Sequence, residues 1–335
     1  MKAIEVHGGG GLDKLALVER ADPGEPGKGE IKVRLRASSL NYHDLMVVKG
    51  MIPTPGDRVP MSDGAGEVVA VGEGVTDFKV GDLAVSTFFP DWLDGEPPES
   101  AFTRVPGDGI DGYAREQVIM PATAFTQAPK GWSAAEAATI TCAGVTAWRC
   151  LVADGQLKAG ETVLVQGTGG VSIYALQIAK AFGCEVIATS SSDEKLERLK
   201  AMGADHLINY KTTPGWGGKA REITNGRGVD HIVEIGGSGT MPQSITAARI
   251  GGHIGLIGVL AGYSGEIPTV AIMGKSIKLI GLTVGSRRHQ QDMVRAIDVV
   301  GFKPVLDKHF PLEQLGAAFA HQESGTHFGK IVVDI

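Results

Sequence analysis

The sequence predicts an α/β protein in which a β domain is interrupted by a Rossmann-type, doubly wound parallel-sheet domain, and three observations predict it. Up to about residue 128, short alternating strands follow one another with turn residues between them. From Glu161 the rhythm changes to apolar strand, glycine turn and amphipathic helix, repeated. Past about residue 285 that rhythm stops and the chain closes on one more strand. A length of 335 residues suits two domains, each able to bury a core of its own.

In the first region the alternating segments are Glu30 to Ala37, Gly66 to Val71, Asp82 to Thr87 and Ala114 to Ile119, an all-β pattern. Residues 88–112 carry Pro90, Pro97, Pro98 and Pro106 with Asp91, Asp94, Glu96 and Glu99 and show little periodicity. A loop of that length is functional or mobile as a rule. Phe88, Phe89 and Trp92 open it, either as the wall of an apolar pocket or as core. In the second region Thr162 to Gln166 precedes a helix Val171 to Phe182, and Glu185 to Thr189 precedes a helix Asp193 to Met202. Strands follow at His206 to Asn209, Asp230 to Ile235, His253 to Val259 and Ile277 to Val284. Strands alternating with helices in this way imply a parallel sheet covered on both faces. The end of the chain, Arg287 to Gly301, Leu312 to Glu323 and Lys330 to Ile335, rejoins the first domain. The expected division is 1–128, 129–284 and a return at 285–335.

Composition excludes several classes. The 48 glycines have no collagen period, and a hydrophobic share of 43% is too high for a disordered chain. A net charge of -6 offers no basic footprint, so neither nucleic acid nor an anionic membrane is expected as a partner. Cys142, Cys150 and Cys184 are too few for a four-cysteine zinc site, and their odd number argues against a disulfide framework. With no signal-peptide core and no apolar run near the roughly 18 residues of a membrane span, a cytoplasmic protein is expected.

The segment with the clearest chemistry is Gly167-Thr168-Gly169-Gly170-Val171-Ser172, directly after a strand and opening a helix. It is G-x-G-x-x-G with serine in the third place, in the strand-turn-helix setting that a dinucleotide site requires. The first glycine lets the chain reverse, the second admits a pyrophosphate to the backbone, and the helix N-terminus supplies unpaired N–H groups. At the end of the second strand an NAD-preferring fold places an acidic residue for the ribose hydroxyls. Here stand Ser190, Ser191 and Ser192, with Lys195 one turn on. Ser191 with Glu194 reads as a capping box, which puts Asp193 in the first helical turn rather than on a ribose. Hydroxyls and a lysine suit a 2'-phosphate, so NADP(H) is favoured and NAD(H) stays open.

The chain resembles the medium-chain dehydrogenase/reductase superfamily, in particular its zinc-free quinone oxidoreductase-like members. Besides the glycine turn, the residues that carry the resemblance are Asn41-Tyr42-His43-Asp44, Gly66 to Gly72 running on to Phe78-Lys79-Val80-Gly81-Asp82, and Cys142 to Trp148. Ala201 to Asp205, Gly285-Ser286-Arg287 and Phe328 to Val333 complete it, in order and at matching spacing. The resemblance implies a GroES-like β domain, a Rossmann domain and a homodimer joined through the Rossmann sheets. The catalytic-zinc positions of the zinc-dependent members fall on Asn41, Ser62 and Cys142, and residues 88–112 stand in place of the structural-zinc lobe without a cysteine. Neither zinc is expected.

By position, the resemblance also implies Thr146, Gly258, Val259, Val284 and Ser286 near the nicotinamide, Tyr210 near the 2'-phosphate, and Phe328 and Lys330 reaching the cofactor from the last segment. Hydride transfer without zinc needs hydrogen-bond donors for the developing oxyanion and a proton source. Asn41, Tyr42 and His43 are the candidates, with Asp44 a structural hydrogen-bonding residue and Arg287 either a guide for a polar substrate or a solvated arginine. The function expected is NADPH-dependent reduction of a quinone, enone or reactive ketone. An NAD-linked alcohol or ketone oxidoreductase and a non-catalytic NADPH-binding sensor are the alternatives.

Overall fold

A computed structural model describes residues 1–335 throughout. In chain order the first elements are β1 (Lys2–Val6), β2 (Leu15–Glu19), β3 (Glu30–Ser39), α1 (Tyr42–Val48), β4 (Ala65–Val71), β5 (Leu83–Ser86), β6 (Gln117–Pro121), β7 (Phe125–Gln127) and α2 (Ala134–Ala138). There follow α3 (Val145–Trp148), β8 (Thr162–Gln166), α4 (Gly170–Ala181), β9 (Glu185–Ser190), α5 (Asp193–Ala201), β10 (His206–Asn209), α6 (Trp216–Ile223) and β11 (Val229–Glu234). Then come α7 (Met241–Ala247), β12 (Ala248–Leu256), α8 (Thr269–Gly274) and β13 (Lys278–Gly281). The chain closes with α9 (Arg287–Val300), β14 (Leu306–Pro311), α10 (Leu315–Glu323) and β15 (Lys330–Asp334). Residues 1–145 and 285–335 form one compact unit and residues 146–284 another. The stretch 129–145, expected with the second domain, packs in the first, where α2 lies against β3, β4 and β5.

The first unit is built on a sheet of order β14-β15-β3-β4-β5-β7, with β6 also on β3. Its centre is β3, whose alternation buries Ile31, Val33, Leu35 and Ala37 on one side of the pleat. The last strand, β15, adds antiparallel to β3 with Val332 opposite Ser39, which seats residue 330 beside the start of α1. The all-β expectation is corrected at α1. Asp44 accepts from the Asn41 N–H at 2.9 Å in a capping box, and Leu45, Val47 and Val48 are buried beneath it. The N-x-x-D spacing of Asn41 and Asp44 before an apolar run is the local signal for this helix start.

The second unit is a six-stranded parallel sheet of order β10-β9-β8-β11-β12-β13, the arrangement of a dinucleotide-binding doubly wound fold. One face is covered by Trp216 and Ala220 of α6 and Met241 and Ile245 of α7 over Leu164, Ile187 and Ile232. Each such fully buried large side chain contributes roughly 1.5–3 kcal/mol. Helix α6 escaped the sequence pattern because it carries Gly217 and Gly218, poor helix formers. The structure gives Gly217 a reason, since a Cβ there would stand 2.2 Å from the Gln243 carbonyl oxygen of α7.

Candidate active site

The glycine turn leaves β8 at Gln166. Gly167 adopts φ +71, which favours glycine, and a Cβ built on Gly169 would meet nothing within 4 Å. Gly169 opens α4 with no side chain capping it, so the first N–H groups of the helix, beginning at Gly170 and Val171, face an open approach. Thr168 is buried in the turn. The buried Ser172 donates its hydroxyl to the Gln166 carbonyl at 2.6 Å, tying the helix back to the strand and filling the third-glycine position. Open backbone, unpaired donors and a positive dipole end fit a pyrophosphate.

The register of β9 with β10 places Asn209 opposite Ser190, and the Tyr210 N–H donates to the Ser190 carbonyl at 3.1 Å. Ser190 is buried, its hydroxyl accepting from the Ser192 N–H at 3.3 Å. The helix cap is Ser192, which accepts from the Lys195 N–H at 3.3 Å, and not Ser191 as the sequence suggested. The spacing misled because Ser191 has Glu194 at the capping-box offset, whereas the cap itself, Ser192, has Lys195 there. Asp193 lies in the first turn, and its carboxylate accepts from the Asn209 amide at 2.7 Å. Ser190, Ser191, Lys195 and Tyr210 thus gather at one sheet edge, where the strand ends on a hydroxyl. Asn209, which holds the nearby carboxylate, was not foreseen.

Gly258 and Val259 line an open hollow of about 330 Å³ together with Leu256, Ile257, Gly281, Leu282 and Thr283. Val284 adopts φ +42, a left-handed conformation that a β-branched residue rarely takes. Thr146 is buried in this unit. Ser286 starts the return segment as the cap of α9, accepting from the His289 N–H at 3.3 Å.

In the β unit a buried polar cluster forms at the start of α1. The Asn41 amide nitrogen donates to the Ser62 hydroxyl at 3.3 Å, and its oxygen accepts from the Lys330 ammonium at 2.5 Å. Lys330 is buried and also donates to the Leu40 carbonyl at 2.6 Å, with Asp63 at 3.3 Å. The ammonium expected to reach the cofactor is therefore engaged within the first unit. Asp44 accepts from the Ser62 N–H at 2.8 Å. Burial would push its carboxyl up, but His43 and Ser62 hold it below the usual range. An amide oxygen already taken by a cation, a hydroxyl and the half-buried Cys142 thiol supply only one of the thiolate, imidazole and carboxylate ligands that zinc takes.

His43 stands between two carboxylates, Nε2 at 2.9 Å from Asp108 and Nδ1 at 3.5 Å from Asp44. Burial would lower the imidazole, but the hydrogen bonds to Asp108 and Asp44 outweigh it and raise the pKa to about 9. Asp108 comes from the long loop and had no signal in sequence. Tyr42 is exposed on the first turn of the same helix. The loop aromatics take the core alternative, with Phe88 edge-on to His43 at 5.1 Å and to Phe89 at 4.8 Å, and all three rings buried. Arg287 is neither guide nor solvated, since its Nε donates to the Phe125 carbonyl at 2.9 Å and its Nη2 to Asp77 at 3.2 Å. Phe328 is buried, its N–H donating to Asp307 at 2.9 Å. His7 forms one group with Glu5 and Asp57, ligand atoms within 4.8 Å of one another, although Glu5 is already paired with Arg20 at 2.6 Å.

Comparison with known proteins agrees with the GroES-like and Rossmann fold of the two units. Residues 27–130 match the family model of the alcohol dehydrogenase GroES-like domain, and residues 170–300 that of the zinc-binding dehydrogenases. A zinc-type alcohol dehydrogenase-like protein of Schizosaccharomyces pombe is 44% identical over 97% of this chain and 96% of its own length. Among solved structures, one described as an NAD-dependent alcohol dehydrogenase is 34% identical with a TM-score of 0.91, each chain covered in full. A mycobacterial protein complexed with NADPH is 26% identical with a TM-score of 0.84, again over the whole of both chains.

Proposed function

The chain belongs to the medium-chain dehydrogenase/reductase superfamily as an NAD(P)-dependent oxidoreductase, and on that premise we propose that it is a zinc-independent, NADPH-dependent reductase of a quinone, enone or reactive ketone. The observation that carries the zinc-independent part is the Lys330–Asn41–Ser62 chain of hydrogen bonds, which uses the donor atoms a metal would need. The NADPH preference draws support from the hydroxyl-terminated strand at Ser190 and from Asn209 occupying the Asp193 carboxylate. The NADPH held by the mycobacterial neighbour points the same way.

A reduced nicotinamide, when bound, supplies the hydride. The uncapped start of α4 and the glycine turn hold the pyrophosphate, while Ser190, Lys195 and Tyr210 receive the 2'-phosphate. His43 supplies the proton to the substrate oxygen, since its two carboxylates keep the imidazole charged at neutral pH. Tyr42 is the second donor, on the exposed side of α1. Asn41, with both ends of its amide hydrogen-bonded, sets the start of α1 and so the position of His43. A homodimer belongs to the same reading, supported by the open edge of β13 and by the exposed Leu260, Tyr263, Val270 and Met273. No helix is long and apolar enough to cross a membrane.

The test is NADPH oxidation by the purified protein with a panel of quinones, enones and aldehydes, before and after chelation, alongside metal analysis. Turnover that survives EDTA in protein without stoichiometric zinc is expected. Activity lost to EDTA and regained with zinc would overturn the proposal. The NAD-linked alternative draws on the 34% identical neighbour, and the ratio of NADH to NADPH affinity separates the two.

A further inference from the structure

One fully buried acidic side chain has no part in the chemistry above. Glu234 ends β11 and makes no ion pair; its carboxylate is held by five neutral donors. Oε1 accepts from the Gly236 N–H at 2.8 Å, the Gly237 N–H at 3.0 Å and the Thr240 hydroxyl. Oε2 accepts from the Gln166 amide at 2.8 Å and from the Ser244 hydroxyl. An unpaired buried anion is costly unless its lone pairs are filled, and a carboxylate can only accept. The three nitrogen partners can only donate, and both hydroxyls are turned to donate as well, so the pocket is built around an acceptor.

The donors come from separate pieces of the dinucleotide site. Gln166 immediately precedes Gly167, and its amide oxygen accepts from the Ile235 N–H at 3.3 Å, so β8 and β11 are cross-linked at the point where the glycine turn departs. Gly236 and Gly237 form the turn after β11. The Glu234 carbonyl in addition accepts from the Ile257 N–H at 2.8 Å and the Gly258 N–H at 3.2 Å, at the base of the loop that carries Val259. That loop is packed without slack, since a Cβ on Gly258 would lie 2.4 Å from the Ile235 carbonyl oxygen.

We infer that Glu234 is a positioning residue of the dinucleotide site, its carboxylate fixing Gln166 at the root of the 167–170 turn and the 236–237 turn in one geometry and so setting affinity for the part of the coenzyme that NADPH and NADH share. The inference rests on the NAD(P)-dependent reading, and an isosteric change isolates it. Glu234→Gln turns one acceptor into an NH2 group facing donors, with almost no change in volume.

The experiment is titration of the whole protein and of folded Glu234→Gln, Glu234→Asp and Gln166→Leu with NADPH and with NADH, followed by coenzyme fluorescence. Glu234→Gln is expected to weaken both coenzymes by on the order of tenfold and to the same degree, raising coenzyme KM with kcat at saturation little changed. Glu234→Asp should recover part of the loss. If Glu234→Gln does not fold, Gln166→Leu carries the test, because it removes the amide bonds to Glu234, Ser244 and Ile235 while leaving the carboxylate in place, and should weaken both coenzymes as well. Variants that melt earlier yet bind both coenzymes as the unmodified protein does would overturn the inference, as would a loss confined to NADPH. Unmodified protein that binds neither coenzyme would instead remove the reading beneath it.

Discussion

In the β unit the buried carboxylates of Asp63 and Asp44 are matched by cations, Lys330 from the last strand and His43 from α1, whereas in the parallel-sheet unit the equally buried Glu234 has only neutral donors around it. The consequences differ. Burial raises the Asp63 carboxyl to about 6, Lys330 pulling it down and Asp44 pushing it up, so that its charge state depends on partners far away in the chain. A carboxylate filled by backbone and side-chain dipoles depends instead on those donors staying where they are. Paired charges therefore answer to loss of the partner, and a carboxylate held by dipoles answers to geometry.

The comparison can be broken in graded ways. Removing a cation should cost most. Lys330→Met leaves buried Asp63 without its cation and the Asn41 oxygen without its donor, and a loss of about 3–5 kcal/mol is expected in urea unfolding. Adding Asp63→Asn should return much of it; a single-variant cost below about 1 kcal/mol would erase the contrast drawn here.

The second effect concerns His253 on β12, beside His231 on the neighbouring strand. Burial, then His231 and Lys278, lower its pKa to about 4, so the imidazole is buried neutral. Between pH 6.5 and about 4 the unfolded chain binds the extra proton, and stability is lost as pH falls through that window by roughly 3 kcal/mol. Unfolding curves for His253→Gln should lack this slope.

His43 has the opposite sign. Its stabilising contribution is present below pH 6.5 and fades as pH rises through about 9. Asp108→Asn should bring the imidazole back toward its ordinary value by about 1–2 pKa units, seen by NMR titration, and should move the alkaline limb of the activity profile with it. An unmoved titration would show that Asp108 does not hold the charge. Smallest is the helix cap, where Ser192→Ala should cost about 1 kcal/mol and Ser191→Ala little, which tests the cap assignment in thermal melts.

Much of this was legible in the residues because it is local. The strand Thr162–Gln166, the glycine turn and the helix behind it lie within about twenty residues, and each obeys a short-range rule of periodicity or backbone freedom. The missing carboxylate after β9 was visible for the same reason. The Ser191 cap failed on a one-residue ambiguity that only backbone dihedrals resolve. The reading of 1–128 as all β failed because α1 is a short helix whose cap residues were claimed for chemistry.

By itself, then, the sequence determined the order of elements, the doubly wound sheet and the chemistry of the turn, since hydrophobic period and glycine placement act over a few residues. Only the tertiary structure decided which groups meet across the chain. Lys330 reaches Asn41 over 289 positions, His43 meets Asp108 over 65, and Gln166 meets Glu234 over 68. No local pattern encodes such pairs. They are set by strand order and register, β15 added beside β3 and β11 beside β8, which are fixed only when the whole apolar core is buried at once.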